Sequence, residues 1–162
     1  MDNRQTAKTE IVLAKPKHAA HIADMSKRLI ELGLPWHSWT TKRVAKAIRR
    51  NDNVTLLCLL GRKILGFASM QFGEESAHLN LLAVEQVEQR AGHASAMLSW
   101  LEESCLIAGI RQVTLECRLS NSHAIRFYER RGFTRNEEAR NYYCGIETAV
   151  RMVKPLGLKN AS

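Results

Sequence analysis

The chain has 162 residues, 45% of them hydrophobic and 25% charged. That balance excludes a disordered polymer and predicts a single domain over residues 1–162, with its core from about 10 to 155. The 24 Lys and Arg against 16 Asp and Glu leave a net charge of +8, which predicts an anionic partner: a phosphate-bearing cofactor, an acidic surface or nucleic acid.

Residues 1–9 read as a polar lead-in without the apolar stretch of a secretory signal. Residues 10–14 predict a short strand. From 18 to 32, Ala19, Ile22, Met25, Leu29 and Leu32 recur at helical spacing, and Gly33 marks a stop. Residues 40–50 predict a second helix capped by Thr40 or Thr41. Val44, Ala47 and Ile48 share one of its faces, and Lys42, Arg43, Lys46, Arg49 and Arg50 cover the rest. The apolar run 54–60 predicts a buried strand, 61–63 a turn, and 64–72 its hairpin partner. A further strand at 77–84 is followed by a polar loop, 85–91, and by a helix from about 92 to 108. Met97, Leu98, Leu101, Cys105 and Ala108 line one face of that helix, with Gly109 at its C-terminal turn. Then come a strand at 113–118, a helix at 121–131 ended by Gly132, a last strand at 149–154 and a tail from 157. Strands clustered in the middle, with strand–helix–strand alternation later, predict a mixed α/β domain.

No apolar run is long enough to cross a bilayer as a helix, so no membrane association is expected. The cysteines, Cys58, Cys105, Cys117 and Cys144, are scattered and show no metal-ligand spacing. They read as reduced core residues of a cytoplasmic protein that needs no metal.

Two stretches carry chemistry. Gln89-Arg90-Ala91-Gly92-His93-Ala94 lies between a predicted strand and the long helix. Free amides and the positive end of the macrodipole make a helix start a site for a diphosphate. Gly92 and Ala94 would let the backbone approach the phosphates, and Arg90 would add a charge; an ordinary strand-to-helix turn accounts for the same residues. The second stretch is Leu115-Glu116-Cys117-Arg118, followed by Asn121, Ala124, Tyr128, Gly132 and Phe133. With Asn121 as cap, Ala124 and Tyr128 share a helix face. Glu116 lies near the carboxyl end of a strand, where α/β proteins commonly place their ligands. A carboxylate and a phenol converging on one cleft would supply a base and an acid. Taken without context, the residues favour Glu116 as a solvated strand residue and Tyr128 as a core aromatic.

In this order and spacing, Ala83-Val84, Gln89 to Ala94, Glu116, Arg118, Asn121, Ala124, Tyr128 and Gly132-Phe133 resemble the GNAT superfamily of N-acetyltransferases. Within it, Pro35-Trp36, Leu115 to Arg118, Phe127-Tyr128-Glu129, Arg140-Asn141-Tyr142-Tyr143 and Met152 to Leu156 resemble the ribosomal-protein alanine N-acetyltransferases. The resemblance implies an α/β fold with a single mixed, mostly antiparallel sheet, flanked by helices and splayed over a cofactor cleft between strands 77–84 and 113–118. It also implies transfer of acetyl from acetyl-CoA to a primary amine, most closely the N-terminal α-amine of a ribosomal protein. By the same resemblance, backbone groups of Leu82, Ala83 and Val84 would pair with the pantetheine arm. Amides of Arg90, Ala91, Gly92, His93, Ala94 and Ser95 would hold the pyrophosphate, and Asn121 would contact the cofactor near its thiol end. Glu116 would be the base and Tyr128 the acid, with Trp36, Tyr142 and Tyr143 at the acceptor.

An α-ammonium titrates near pH 8 and must lose a proton before it attacks. Burial is expected to raise the Glu116 pKa toward that task. Tyr128 beside the leaving sulfur would protonate the thiolate, so Cys117 is not needed as a nucleophile. Gln86 stands where a Pro commonly follows the strand, and Ala94 replaces a commoner Gly, which implies cofactor binding that is intact but weaker. The acceptor regions, 34–39 and 136–147, differ around Trp36 and Tyr142-Tyr143, so a lysine side chain, a polyamine or another small amine stays open as acceptor. The basic helix at 40–50 and the Arg-rich stretch 126–140 support a nucleic-acid- or ribosome-binding module as the rival reading, but no known basic motif accompanies them.

Overall fold

Among the described residues, seven strands form one sheet: β1 (Thr9–Leu13), β2 (Asn53–Leu60), β3 (Lys63–Phe72), β4 (Ser76–Val84), β5 (Gln112–Arg118), β6 (Thr134–Tyr143) and β7 (Glu147–Pro155). Four α-helices, again among the described residues, cover it: α1 (Ala19–Leu29), α2 (Thr41–Arg49), α3 (His93–Ile107) and α4 (Ser122–Arg130). The computed structural model describes residues 8–157, so the predicted lead-in and tail lie almost wholly outside the described residues. The spatial order is β1-β2-β3-β4-β5-β7-β6, and every neighbouring pair is antiparallel except β4 with β5. This is the mixed, mostly antiparallel sheet that the resemblance implies. No helix among the described residues is long and apolar enough to cross a membrane.

The core has two sides because strand side chains alternate between faces. On one side, Met97, Leu98, Leu101 and Cys105 of α3 and Ile125 and Tyr128 of α4 pack on Leu56, Ala68, Val113, Leu115 and Cys117. On the other, Ala19, Ile22, Ala23 and Met25 of α1 and Val44 of α2 pack on Leu57, Phe67 and Leu81. The second set is smaller and leaves the far part of its face to polar side chains.

Two features of β4 position the site. It pairs with β5 only from Ser76–Gln112 to Leu79–Leu115, after which the strands part. Its pairing with β3 also slips: Met70 lies opposite Leu79 and Ser69 opposite Leu81, leaving Asn80 as an extra residue. A bulge of this kind inverts side-chain parity beyond it. Leu79 packs with the α3 side and Leu81 with the α1 side, although they are two residues apart.

The helix ends follow their sequences. The Thr40 hydroxyl accepts from Arg43 N at 3.3 Å, and Asn121 Oδ1 accepts from Ala124 N at 3.1 Å. At the end of α3, Ile110 N donates to Cys105 O at 2.8 Å, closing a Schellman-type turn over Gly109. Ala108 is exposed and Ile110 takes the expected place in the core. The first helix stops at Leu29, so Leu32 lies outside it and is 70% exposed.

Strand β6 was not foreseen. Its sequence, TRNEEARNYY, has no apolar alternation, and it lies exposed at the sheet edge, held by its hairpin with β7. The cysteine reading needs one correction. Cys58, Cys105 and Cys117 are buried and free as expected, but Cys144 is only half-buried and sits in the β6–β7 turn with φ 52°.

Candidate active site

A cleft of about 810 Å³ opens where β4 and β5 part, between the end of β4, the start of α3 and α4. Leu82, Ala83, Val84, Arg90, Gly92, His93, Ala94, Ser95, Asn121 and Tyr128 all line it; Ala91 belongs to the same loop but is not among the lining residues. The β5-facing backbone edge of β4 beyond Leu79 has no partner strand. One of its carbonyls, that of Val84, accepts from Gln89 Nε2 at 3.2 Å. Gly66 of β3 lies against the opposite edge of β4, and a Cβ there would meet the Ala83 carbonyl at 2.7 Å. Only glycine lets β3 pack this close, so it fixes where the Ala83–Val84 backbone stands.

The turn into α3 is built for anions. Gly92 is the N-cap with φ 84° and ψ 7°, a left-handed conformation that glycine adopts without steric cost. Arg90 also has a positive φ, 69°. The first amides of a helix have no partner within it, so those of His93, Ala94 and Ser95 stand at the mouth of the cleft. Arg126, Arg130 and Arg131, part of the Arg-rich stretch that the sequence offers to the rival binding reading, line the same cleft with Arg90, against one acidic lining residue, Glu88. Arg131 is anchored there by Ser99 Oγ at 2.7 Å and Glu102 at 3.8 Å.

Tyr128 is 8% exposed and stands in an aromatic cluster, its ring 5.2 Å from Phe127 and 5.5 Å from Phe133 in edge-on geometry. Burial pushes its phenol pKa well above the ordinary value, so the hydroxyl keeps its proton. Burial also pushes the Cys117 thiol up to about 11, the opposite of an activated nucleophile.

Glu116 does not line this cleft. Val113, Leu115 and Cys117 face the α3 side with Tyr128, so Thr114, Glu116 and Arg118 face the other way. The expected convergence of carboxylate and phenol in one cleft is therefore corrected: they approach from opposite faces of β5. Glu116 is the first β5 residue beyond the last β4 pair, beside the gap. His78 Nε2 lies 2.7 Å from its Oε2, and Arg151 Nε donates to its Oε1 at 3.3 Å. The expected rise in its pKa is also overturned. The His78 hydrogen bond pulls it below the ordinary value, burial opposes, and Arg151 adds to the lowering.

Around Glu116 the surface is assembled from distant segments. Buried Glu31 accepts from Ser38 N at 2.9 Å, Ser38 Oγ at 2.7 Å and Trp39 N at 3.1 Å, and also bonds His37. Burial alone would raise its pKa, but the Ser38 and His37 bonds outweigh it and the net shift is downward. Arg118 donates to both Glu147 oxygens at 2.6 Å and to the Leu32 carbonyl at 2.6 Å, tying the α1–α2 loop to β5 and β7. Cys144 Sγ reaches the Trp36 carbonyl at 3.6 Å, joining that loop to the β6–β7 turn. Trp36 is 60% exposed, and Tyr142 and Tyr143 stack edge-on at 4.9 Å. His78, Glu31 and Arg151 escaped sequence reading because none belongs to a motif.

The model of the Acetyltransferase (GNAT) family matches residues 21–133. The chain belongs to the GNAT family. This acetyltransferase is similar to the [ribosomal protein bS18]-alanine N-acetyltransferase of Escherichia coli K12, 35% identical over 99 residues, which are 59% of this chain and 67% of the relative. The crystal structure of the ribosomal-protein-S18-alanine N-acetyltransferase from E. coli superposes with a TM-score of 0.80 at 26% identity, covering 96% of this chain and 98% of that one. A PaiA N-acetyltransferase from Thermoplasma acidophilum, solved with coenzyme A, shares the fold at 18% identity and a TM-score of 0.77, over 91% of this chain and 99% of that one. The GNAT enzyme uses acetyl-CoA. Its cleft fits that molecule by charge and shape: cations and free amides for phosphates at one end, and an unpaired strand edge toward the other.

Proposed function

We propose that this GNAT enzyme acetylates a protein N-terminal α-amine, with Glu116 as the base and Tyr128 as the acid. The observation that supports the reading most is the gap between β4 and β5, which has Tyr128 on its cofactor side and Glu116 on the opposite face. Acetyl-CoA supplies the acetyl group as a thioester. The backbone of Leu82, Ala83 and Val84 and the helix-start amides from Arg90 to Ser95 bind and orient it, with Asn121 turned to the same cleft while it caps α4. Glu116, an ionised carboxylate, receives the acceptor's proton, directly or through a water. Tyr128, whose burial keeps it protonated, gives its proton to the leaving sulfur. Holding both reactants in line supplies much of the rate. Trp36, Tyr142 and Tyr143 surround the entrance for the acceptor. Likeness to ribosomal-protein alanine acetyltransferases supports a ribosomal protein N-terminus as that acceptor, and the free cysteines fit a cytoplasmic setting.

A second reading of the acceptor rests on a smaller pocket of about 250 Å³ beside the β4 bulge, lined by Trp39, Arg43, Lys46, Arg50, Asn53 and Asn80 among others. Arg50 is paired with Asp52, but among the described residues neither Arg43 nor Lys46 has a carboxylate partner. This favours an acceptor with an acidic side chain near its amine. The test is acetylation of alanyl peptides that differ only in Asp, Ala or Arg at the second and third positions, alongside lysine and polyamine acceptors. Faster turnover of the Arg peptides sinks the acidic reading, and failure of every peptide beside a reactive polyamine sinks the N-terminal one.

A further inference from the structure

We propose that His78 is a positioning residue for Glu116: with Arg151 it clamps the carboxylate, and the charge on its ring sets how strongly Glu116 draws a proton from the acceptor. This rests on the reading of Glu116 as the base. The ring is held at both nitrogens, Nε2 at 2.7 Å from Glu116 Oε2 and Nδ1 at 2.7 Å from Thr114 Oγ1. Strand register enforces the arrangement, because His78 and Thr114 are partners in the last paired stretch of β4 and β5 and Glu116 follows two residues later on the same face. The Thr114 hydroxyl both donates and accepts, so it holds the ring in its neutral and its charged form. Glu116 and His78 side chains are 15% and 33% exposed, which limits screening by water.

The groups facing this pair come from four elements. Arg151 of β7 holds the other Glu116 oxygen and is itself bonded to Glu137 of β6 at 2.6 Å. Tyr142 and Tyr143 of β6 have phenol pKa values raised by burial and stay neutral, with Arg43 of α2 close enough to act on Tyr142. Gln71 of β3, the register partner of His78, is uncharged. Arginine keeps its charge throughout and the two phenols stay neutral, so the His78 ring is the group of this set that can carry or release a proton. A charged ring places two cations on Glu116 and weakens it as a base; a neutral ring leaves one. Glu116 therefore becomes a better base as the ring loses its proton.

The test compares single-turnover acetylation by the full-length wild type and His78→Gln, using acetyl-CoA and an alanyl peptide from pH 5.5 to 8.5. Gln keeps a donor for Glu116 but carries no charge at any pH. Dividing the two rates cancels the acceptor's own deprotonation. We expect the variant-to-wild-type ratio to fall about tenfold as pH rises, with the KM for acetyl-CoA unchanged in both. A ratio that stays flat across the range overturns the proposal. His78→Asn repeats the measurement if Gln impairs folding. Glu116→Gln separates the two ideas: if it turns over at the wild-type rate, the base assignment and the clamp fall together, whereas a slow Glu116→Gln with a flat His78→Gln ratio removes the clamp alone.

Discussion

The two sides of the β4–β5 gap are built from different materials. The cofactor side is mostly backbone: a strand edge without a partner, a left-handed glycine and the first amides of α3. The opposite side, where we propose that the acceptor enters, is mostly side chains reaching across the sequence, from Glu31 to Ser38 and Trp39, from Arg118 to Glu147 and Leu32, and from Glu116 to His78 and Arg151. A backbone site depends on a few conformations and tolerates varied side chains. A side-chain site depends on every partner being present, and can be retuned by one substitution. On the proposed division of roles, a fixed donor site can stand beside an acceptor site that one substitution retunes.

The largest effects are expected where the two sides meet. Tyr128→Phe removes a hydroxyl from an otherwise intact aromatic cluster, and Glu116→Gln removes a charge; each should slow single-turnover acetylation by ~10²–10⁴-fold while acetyl-CoA affinity persists. Part of the Glu116→Gln loss should return at high pH, where the acceptor is already deprotonated, and none of the Tyr128→Phe loss should. Wild-type rates in both variants would return the two residues to structural duty.

Next comes a contrast within the backbone site. A Cβ at Gly92 meets nothing within 4 Å, so Gly92→Ala tests only the positive φ and should cost about 1 kcal/mol of stability. Gly92→Asp adds negative charge at the phosphate end, and acetyl-CoA affinity should fall by at least about tenfold. Equal affinities of the two variants by calorimetry would place the pyrophosphate elsewhere.

On the acceptor side, Arg118→Ala frees the α1–α2 loop from β5 and β7. The acceptor KM should rise several-fold with the acetyl-CoA KM unchanged; a change in the latter alone would show that the sides are not separable.

The smallest effect is on stability. Glu31→Gln weakens a set of buried bonds to a charged group and should cost roughly 2 kcal/mol in denaturant unfolding. Because the Glu31 pKa is lowered in the fold, its contribution is full above the ordinary glutamate range, near 4.3, and is lost as pH falls through the lower folded value. The gap between wild type and variant should therefore narrow in acid. A gap that stays constant would mean the carboxylate is not what holds the loop.

The same division decides what the sequence revealed. The cofactor side was legible because backbone demands leave local marks: Gly92 before a helix, Asn121 as a cap, an apolar run for β4. Glu116 and Tyr128 stand out by type and position and take their roles from the resemblance; their opposite faces follow from how β5 packs against α3 and α4, and the lowered Glu116 pKa depends on His78, which is 38 residues away in the chain and has no pattern of its own. Strand β6 was missed for a related reason: an edge strand with no face to bury carries no alternation, and only its partner β7 defines it.

The parting of β4 and β5 also puts a row of amides and carbonyls without a partner strand in the middle of a sheet rather than at its rim. An exposed strand edge is a template for another chain, and most proteins blunt theirs with charge, proline or a bulge. In the proposed binding mode the blocking group is acetyl-CoA itself. Occupancy by acetyl-CoA should then protect against aggregation as well as raise the unfolding temperature, so that storage life and solubility follow the nucleotide supply.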